Sequence, residues 1–221
     1  MATRPGKARL EITIDVAIFT IEDGVLKIVL LRRDQPPYIG KLGLPGGFLW
    51  QNEDTVQAAQ RILAGKVNLG RVFMEQLYTF DHPGRDPRGQ IISVTYLVLA
   101  PIEKLKRLAE GIEIKDVRLA KGLAFDHSEI LSYAIRRLRS KLGYSNVAYS
   151  LLPELFTLSQ LQEIYEVILG HGVDKRNFRK KILSLDIIEP TSQQLTGQRH
   201  RPARLHRFKK RSYSELAEPI F

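Results

Sequence analysis

A single glutamate, Glu53, stands at the predicted start of a helix, between Gly47 and Arg61. A carboxylate in such a place can help to hold Mg²⁺, which takes oxygen ligands, usually one or two carboxylates together with phosphates and water. The helix places Ile62 and Lys66 four residues apart on one face, so an aliphatic group and a cation share that face. A lysine there repels a metal and can pair with a phosphate, although a lysine that only extends into solvent is the more common case. Such a face suits a phosphate group better than a metal ion.

The spacing of this segment resembles the Nudix box, G-x5-E-x7-R-E-U-x-E-E-x-G-U with U aliphatic, whose glutamates hold the cations that activate water against a diphosphate. The positions that agree are Gly47, Glu53, Arg61, Leu63 and Leu69. The glutamates that should follow the arginine are replaced by Ile62, Gly65 and Lys66. Asn68 replaces the last glycine, but asparagine also tolerates the left-handed conformation. The resemblance implies a Nudix frame without its metal site, so we expect no metal, no cofactor and no enzymatic activity.

Length and composition favour two domains in a reducing compartment. A chain of 221 residues is longer than a typical single domain. It has no cysteine, which excludes disulfides, thiolate zinc sites and a cysteine nucleophile. The basic N-terminus lacks the apolar run and cleavage site of a signal peptide, and no stretch reaches transmembrane length. We expect a cytoplasmic bacterial protein.

Residues 1–142 are predicted to form an α+β domain, a Nudix-like α/β/α sandwich. Apolar runs predict strands at Leu10–Phe19, Val25–Arg32, Phe73–Phe80 and Ile91–Ala100, with a short strand at Asp116–Leu119. Helical spacing predicts a helix at His127–Leu142 and another at Glu53–Val67, the latter with a buried stripe of Val56, Ala59, Leu63 and Val67. The double glycine within Leu44–Phe48 predicts a loop that turns sharply or approaches a ligand closely.

Residues 143–221 are predicted to form a winged helix-turn-helix. Thr157 and Gln160 make a capping box ahead of an apolar helix, and Asp174 can cap a second helix at Lys175–Leu185. Two short strands, predicted at Asp186–Thr191 and Ala203–Phe208, follow it. A helix, a glycine turn, a second helix and a hairpin are the order of a module whose second helix enters the DNA major groove.

The net charge of +10 is concentrated in this second domain. Residues 171–211 contain twelve Lys and Arg against three acids, whereas the rest of the chain is nearly neutral. A charge block is often only a solvated run, but here the cations alternate with apolar residues at helical and then strand spacing. They therefore predict a DNA-binding surface. Its candidate contacts are Thr157, Lys175, Arg176, Asn177, Arg179, Lys180, Arg199, Arg201 and Arg204.

Taken in order, these segments resemble the Nudix-related transcriptional regulators of the NrtR type, in which a Nudix-like domain precedes a winged helix. Besides the box, the motifs that carry the resemblance are Leu44–Phe48, Arg85–Gly89, Ala124–His127, Phe156–Leu158, Asn177–Arg179 and Arg201–Ala203. The resemblance covers nearly the whole chain. It implies a homodimeric repressor that binds palindromic operator DNA of NAD-metabolism genes, lies on the nucleoid when bound, and responds to ADP-ribose or a related nucleotide or sugar.

Candidate ligand contacts lie on loops expected to face the pocket of the first domain. They are Arg32, Phe48, Lys66, Tyr78, Arg85, Asp86, Arg88 and Phe125. Arginines suit a pyrophosphate and an aspartate accepts from ribose hydroxyls. The alternative for Arg85 and Arg88 is a surface turn, or a pair that holds Asp86. The aromatic residues can stack an adenine or belong to the core. His127 is interpreted as a capping or structural residue.

Two other functions remain open on the sequence alone. An active Nudix hydrolase of ADP-ribose-type substrates would need a displaced catalytic base, with Glu53 assisted by an acid such as Asp81 or Glu75. A basic winged helix can also dock on RNA instead of duplex DNA.

Overall fold

The computed structural model describes residues 10–105, 109–195 and 202–221. Its strands are β1 (Glu11–Glu22), β2 (Val25–Arg32), β3 (Leu42–Gly43), β4 (Gly46–Phe48), β5 (Phe73–Phe80), β6 (Ile91–Leu99), β7 (Ile112–Asp116), β8 (Ile188–Leu195) and β9 (Ala203–Phe208). Its α-helices are α1 (Thr55–Ile62), α2 (His127–Tyr144), α3 (Leu158–Leu169) and α4 (Lys175–Ser184). A π-helical turn (Leu63–Val67) and 3-10 turns (Ile102–Leu105 and Val147–Ser150) complete the described elements. None of the helices in these ranges is long and apolar enough to cross a membrane.

Strand β1 is the centre of a seven-stranded mixed sheet. It runs parallel to β6, while its other edge pairs first with β4 and then with β2. β5 pairs with β6, and β3 and β7 pair with β2. Because side chains alternate along a strand, Ile14, Val16 and Ile18 face one layer and Ala17 and Phe19 the other, and all five are fully buried. A strand covered on both faces needs such a continuous apolar run.

Helices cover both faces of this sheet, which confirms the α/β/α sandwich. α1 and the π-helical turn pack on the face of Ile14, where Ile62 is buried. α2 packs on the face of Phe19 through Ile130 and Leu138, and this cluster continues into the second domain. The division after residue 142 stays a prediction, since α2 runs on to Tyr144 and contributes to both cores.

Most predicted elements of the first domain are confirmed, with β2 and β5 at the predicted bounds, but two details differ. The short strand lies at Ile112–Asp116 and not at Asp116–Leu119, because the Asp116 carboxylate accepts the Arg118 N–H and turns the chain. Val56 is 43 % exposed instead of buried. The other three members of the predicted stripe, Ala59, Leu63 and Val67, are buried, and Ala58 and Ile62 are buried beside them.

The helix of the Nudix box ends in an unusual way. After α1 the chain makes the π-helical turn and ends it at Asn68, in the left-handed conformation with φ 56°. This confirms that asparagine serves here in place of glycine. Single π-helical turns are frequent at functional sites, and this one carries Lys66.

The second domain is the predicted winged helix-turn-helix. Thr157 Oγ1 accepts the Gln160 N–H and the Gln160 side chain accepts the Thr157 N–H, which confirms the capping box of α3. Gly170 ends this helix in the left-handed conformation with φ 82°. Asp174 then caps α4 by accepting the Asn177 N–H.

The wing is the antiparallel pair of β8 and β9, whose register shifts between Pro190 and Gln194. β8 runs to Leu195, past its predicted end at Thr191, because its last two residues still pair with β9. Arg199 and Arg201, predicted to contact DNA, lie outside the described residues.

Residues Leu44–Phe48 are called the glycine loop, and Gly46 is the point where this loop meets β1. It pairs with Asp15, and a Cβ on Gly46 would lie 2.0 Å from Asp15 Oδ1 and 2.9 Å from the Ile14 carbonyl oxygen. Only glycine allows such a close approach. Gly65, in contrast, has no atom within 4 Å of an added Cβ.

Replacing Thr157 with alanine removes the N-cap oxygen of α3. We expect the free energy of unfolding to fall by about 1 kcal/mol, the usual cost of losing a Ser or Thr cap. Chemical denaturation measures the change. Thr157→Ser keeps the hydroxyl and should retain most of the stability, and an equal loss in the two variants would contradict a capping role.

Gly46→Ala should lower the free energy of unfolding by about 1–3 kcal/mol, the range for forced overpacking, because β4 must move away from β1. Gly65→Ala adds the same methyl group in open space on a helix and should raise stability by up to about 1 kcal/mol. Urea unfolding curves compare the two variants. A Gly46→Ala protein as stable as Gly65→Ala would disprove the close approach.

Candidate functional site

A cavity of about 230 Å³ opens in the first domain between the glycine loop, the 33–36 loop, the 85–88 loop and the start of α2. Six of the predicted ligand contacts line it: Phe48, Lys66, Arg85, Asp86, Arg88 and Phe125. Its lining also includes Asp15, Arg33 and His127, which were not among the predicted contacts. The structure therefore brings most of the predicted set together around one cavity.

Arg32 and Tyr78 lie outside the lining of this cavity, contrary to the prediction. Arg32 pairs with Glu113 on β7, and the ring of Tyr78 packs 5.0 Å from the ring of Tyr133 on α2. Successive residues at the end of a strand face opposite sides, so Arg33 reaches the cavity where Arg32 was expected. The alternation of side chains along β2 was the sequence signal that could have selected Arg33 over Arg32.

Asp15 is a buried carboxylate at the floor of the cavity. Ser93 Oγ donates to its Oδ2 at 2.6 Å, and His127 Nε2 lies 3.6 Å from its Oδ1. His127 Nδ1 accepts the Leu44 N–H at 2.8 Å, so the neutral ring carries its proton on Nε2, facing Asp15. Burial lowers the pKa of His127 and keeps this neutral form. His127 thus joins α2 to the glycine loop, in line with a structural role. The sequence signal that could have identified Asp15 is that it is an acidic residue inside an otherwise apolar strand.

The two arginines of the 85–88 loop hold different aspartates. Arg85, with a buried side chain, makes a two-pronged pair with Asp126 at 2.7 and 2.8 Å. Arg88 pairs with Asp86 in the same way, at 2.6 and 2.9 Å. Burial raises the pKa of Asp86, but the hydrogen bonds from Arg88 outweigh it and hold that pKa below its usual range. Arg85 therefore anchors the loop to α2, while Arg88 stays at the cavity.

Aromatic rings and guanidinium groups meet at one wall. The Arg88 guanidinium lies 5.0 Å from the Phe48 ring centroid and 5.2 Å from that of Phe125. The Arg33 guanidinium lies 4.6 Å from the same Phe125 ring centroid. Burial and the neighbouring charge of Arg88 lower the pKa of Arg33. Phe125 has a φ of 54°, a strained conformation for a residue of this size and one that is often found at ligand sites.

Lys66 places its ammonium beside the glycine loop. Its Nζ donates to the Gly46 carbonyl oxygen at 2.6 Å, although the residue as a whole is exposed. Burial of the ammonium lowers its pKa, and Asp15 acts in the opposite direction. Lys66, Arg33 and Arg88 bring three cations to a cavity whose lining also holds three aspartates, and these cations can pair with an anion.

The donor groups of the box do not fit a divalent cation. Glu53 accepts the Trp50 N–H and two hydrogen bonds from Arg61, whose guanidinium stacks 3.5 Å from the Trp50 ring centroid. Ile62 is buried beneath Gly47. Within the described ranges, no group of three or more His, Cys, Asp or Glu is arranged to hold a metal ion.

The exposed face of α4 carries the second cluster of candidate residues. Lys175, Arg176 and Lys180 are exposed and form no ion pair with any other described residue. Phe178 and Ile182 anchor the opposite face in the core. An exposed row of unpaired cations on the second helix of a helix-turn-helix suits a phosphate backbone.

The remaining predicted DNA contacts are placed differently. Asn177 and Arg204 are exposed on α4 and β9. Arg179 is partly buried and donates to Ser159 Oγ at 2.9 Å. Thr157 is 5 % exposed and its hydroxyl is committed to the cap, so it does not lie on this surface.

Comparison with known proteins agrees with both halves of the structure. The family profile of the NUDIX domain matches residues 11–146, and that of the NrtR DNA-binding winged helix domain matches residues 148–208. The ADPR responsive transcriptional repressor NtrR of Acinetobacter baylyi is 36 % identical over 209 residues, which cover 91 % of this chain and 83 % of that protein.

Solved structures show the same arrangement. Shewanella oneidensis NrtR, crystallised with a 27mer DNA, has 34 % identity and a TM-score of 0.83, covering 90 % of this chain and 93 % of that chain. The NUDIX domain of the same protein, complexed with ADP ribose, has 33 % identity and a TM-score of 0.53, covering 60 % and 90 %. The chain therefore belongs to the family of NrtR-type regulators, in which a Nudix domain precedes a DNA-binding winged helix domain.

Proposed function

We propose that this protein is a transcriptional repressor that senses ADP-ribose, or a related nucleotide or sugar, in the Nudix cavity and binds duplex operator DNA through α4 and the wing. The observation that carries the proposal is the Lys66 ammonium, which occupies a position that the Nudix box assigns to a carboxylate. An ADP-ribose complex of the related Shewanella domain and a DNA complex of the whole Shewanella protein support it.

The lining of the cavity suits each part of a nucleoside diphosphate sugar. Lys66, Arg33 and Arg88 offer cations to a diphosphate. Asp15 offers carboxylate acceptors to ribose hydroxyls, and Phe48 and Phe125 present rings against which a base can stack.

We propose further that the cavity binds without hydrolysis. Glu53 is committed to Arg61 and Trp50, and a metal-assisted hydrolysis needs free carboxylates. The acids considered for a displaced base do not help. Glu75 pairs with Lys141, and neither Glu75 nor Asp81 lines the cavity.

The proposed DNA complex has two-fold symmetry. Two copies of α4 in a homodimer would enter successive major grooves of a palindrome, one helical turn apart. The residues proposed to touch DNA are Lys175, Arg176, Asn177, Arg179, Lys180 and Arg204, together with Arg199 and Arg201. We propose NAD-metabolism genes as the targets, the bacterial cytoplasm as the location, and a functional division of the chain near residue 143.

A gel-shift titration on the DNA upstream of the protein's own gene and its neighbours tests this function. We expect salt-dependent binding to a palindromic duplex, weak binding to single-stranded RNA, and a change of tenfold or more in DNA affinity with ADP-ribose. NAD, phosphoribosyl pyrophosphate and pentoses serve as competing effectors. Lys180→Gln should reduce the dependence of log K on log salt by about one unit, whereas Lys121→Gln, outside the helix-turn-helix, should not. Release of AMP from ADP-ribose with Mg²⁺ at enzyme-like rates would favour the hydrolase.

Lys66→Glu tests the role of the ammonium in the cavity. Calorimetry in EDTA should show at least a tenfold loss of ADP-ribose affinity, on the scale of about 1.5–3 kcal/mol for a hydrogen bond to a charged group. Mg²⁺ should restore part of that affinity only in this variant. Lys104→Glu is the matched control, since Lys104 also donates one hydrogen bond to a backbone carbonyl, that of Arg71 at 2.8 Å, but lies away from the cavity. Unchanged binding by Lys66→Glu would refute the role.

A further inference from the structure

Residues 212–221, here called the C-terminal strap, cross the end of α2. The Leu216 N–H donates to the Tyr144 carbonyl oxygen and the Ile220 N–H to the Gly143 carbonyl oxygen, both at 2.8 Å. Asn146, just after α2, donates to the Ser212 carbonyl oxygen and accepts the Ser214 N–H. The chain thus returns from the wing to the helix that also belongs to the first domain.

A buried cation ties the strap to the first domain. Lys141 of α2 is 2 % exposed, and its Nζ lies 2.8 Å from Glu75 Oε2 on β5 and 2.9 Å from the Tyr213 hydroxyl on the strap. Burial lowers the pKa of Lys141, but Glu75 and Tyr213 outweigh that effect and hold it above its ordinary value. A buried ammonium requires such partners. Pulling the strap away would take the Tyr213 hydroxyl from this buried ammonium and leave it paired with Glu75.

The far end of the strap reaches the helix-turn-helix. Glu218 pairs with Lys181 of α4 at 2.8 Å. The Phe221 ring lies 6.0 Å from the ring of Tyr165 on α3, and Ile220 is buried. The Tyr213 ring lies 5.8 Å from the ring of Phe73 on β5, so one short segment contacts β5, α2, α3 and the helix proposed to read DNA.

Helix α2 connects this junction with the cavity. At its start, Asp126 holds Arg85 and His127 holds the Leu44 N–H, both at the cavity. Its last turns carry Lys141. A continuous helix of 18 residues spans about 27 Å at 1.5 Å per residue, so it can act as a stiff rod between the two ends.

From these contacts we infer that the strap, locked by Lys141, Glu75 and Tyr213, clamps the winged helix to the Nudix domain in one orientation. A change at the cavity then moves the DNA-reading helix together with α2. The transmission of a change from the cavity to the DNA-binding helix rests on the proposed function, whereas the clamp follows from contacts within this chain. An effector alters DNA affinity only if it favours one of two conformations of the protein. The clamp makes the orientation of the winged helix depend on the conformation of the Nudix domain.

Pulsed electron paramagnetic resonance tests the clamp. The chain has no cysteine, so Gln60→Cys and Gln193→Cys accept nitroxide labels on α1 and the wing without background. Labelled protein is diluted with excess unlabelled protein so that distances within one chain dominate. The released variant is Lys141→Met with Glu75→Gln, which removes both charges and leaves neither unpaired. Tyr213→Phe removes only the hydroxyl by which the strap contacts Lys141 and keeps the Lys141–Glu75 pair and the ring, so it separates the two contacts.

Without ligand, the wild type should give one narrow distance distribution, the released variant a distribution at least twice as broad, and Tyr213→Phe a width between the two. With ADP-ribose, the released variant should keep its effector affinity within about twofold but show less than a twofold effect on DNA affinity. A narrow distribution or a wild-type effector response in the released variant would overturn the clamp. If ADP-ribose does not change the DNA affinity of the wild type, the proposed function fails. The widths of the distance distributions measured without ligand still test the clamp in that case.

Hydrogen exchange on the wild-type protein tests the clamp without any substitution. The amides of Leu216 and Ile220 should exchange as slowly as those in the last turns of α2. Exchange much faster than that of α2 would show that the strap opens independently, and would overturn the inference.

Discussion

A carboxylate buried in the middle of a sheet must be compensated, and the need to compensate Asp15 organises the cavity. Ser93 donates to it from the neighbouring strand, Arg85 lies 3.7 Å away and His127 lies 3.6 Å away. These three partners come from β6, the 85–88 loop and the start of α2. A buried charge without partners costs several kcal/mol. The contacts with this one side chain therefore help to fix the relative positions of the elements around the cavity. The closeness of Gly46 to the same carboxylate adds the glycine loop to this set.

The two basic regions differ in how their charges are satisfied. In the cavity, Arg88 is paired with Asp86 and Lys66 with a backbone carbonyl, so these cations are oriented before any ligand arrives. Such preorganisation reduces the cost of binding a diphosphate. On α4, Lys175 and Lys180 have no ion-pair partner among the described residues and extend into solvent. Exposed cations of that kind suit a polyanion, whose binding is driven largely by the release of counterions.

Helix α2 gives the two regions a physical connection. It begins at the cavity with His127 and ends at the strap, where Lys141 joins β5 to the chain that follows the wing. The hydrophobic cluster is also continuous, from Phe19 in the sheet through Leu138 to Phe178 on the inner face of α4. A sensor and a reader that share one core and one helix are mechanically coupled, as a ligand-responsive regulator requires.

The sequence by itself determined the order of the elements, the α/β/α sandwich, the capped helix-turn-helix and the positions at which the Nudix carboxylates are missing, because these depend on periodicity, capping and spacing along the chain. It also placed six of eight ligand candidates at one cavity. Only the tertiary structure decided that Arg33 lines the cavity instead of Arg32, that Asp15 forms its floor, and that Thr157 is a cap away from the basic surface. The register of strands and the partners of buried charges come from residues far apart in sequence, such as Asp15 with Ser93 or Lys141 with Tyr213, and no local pattern encodes them.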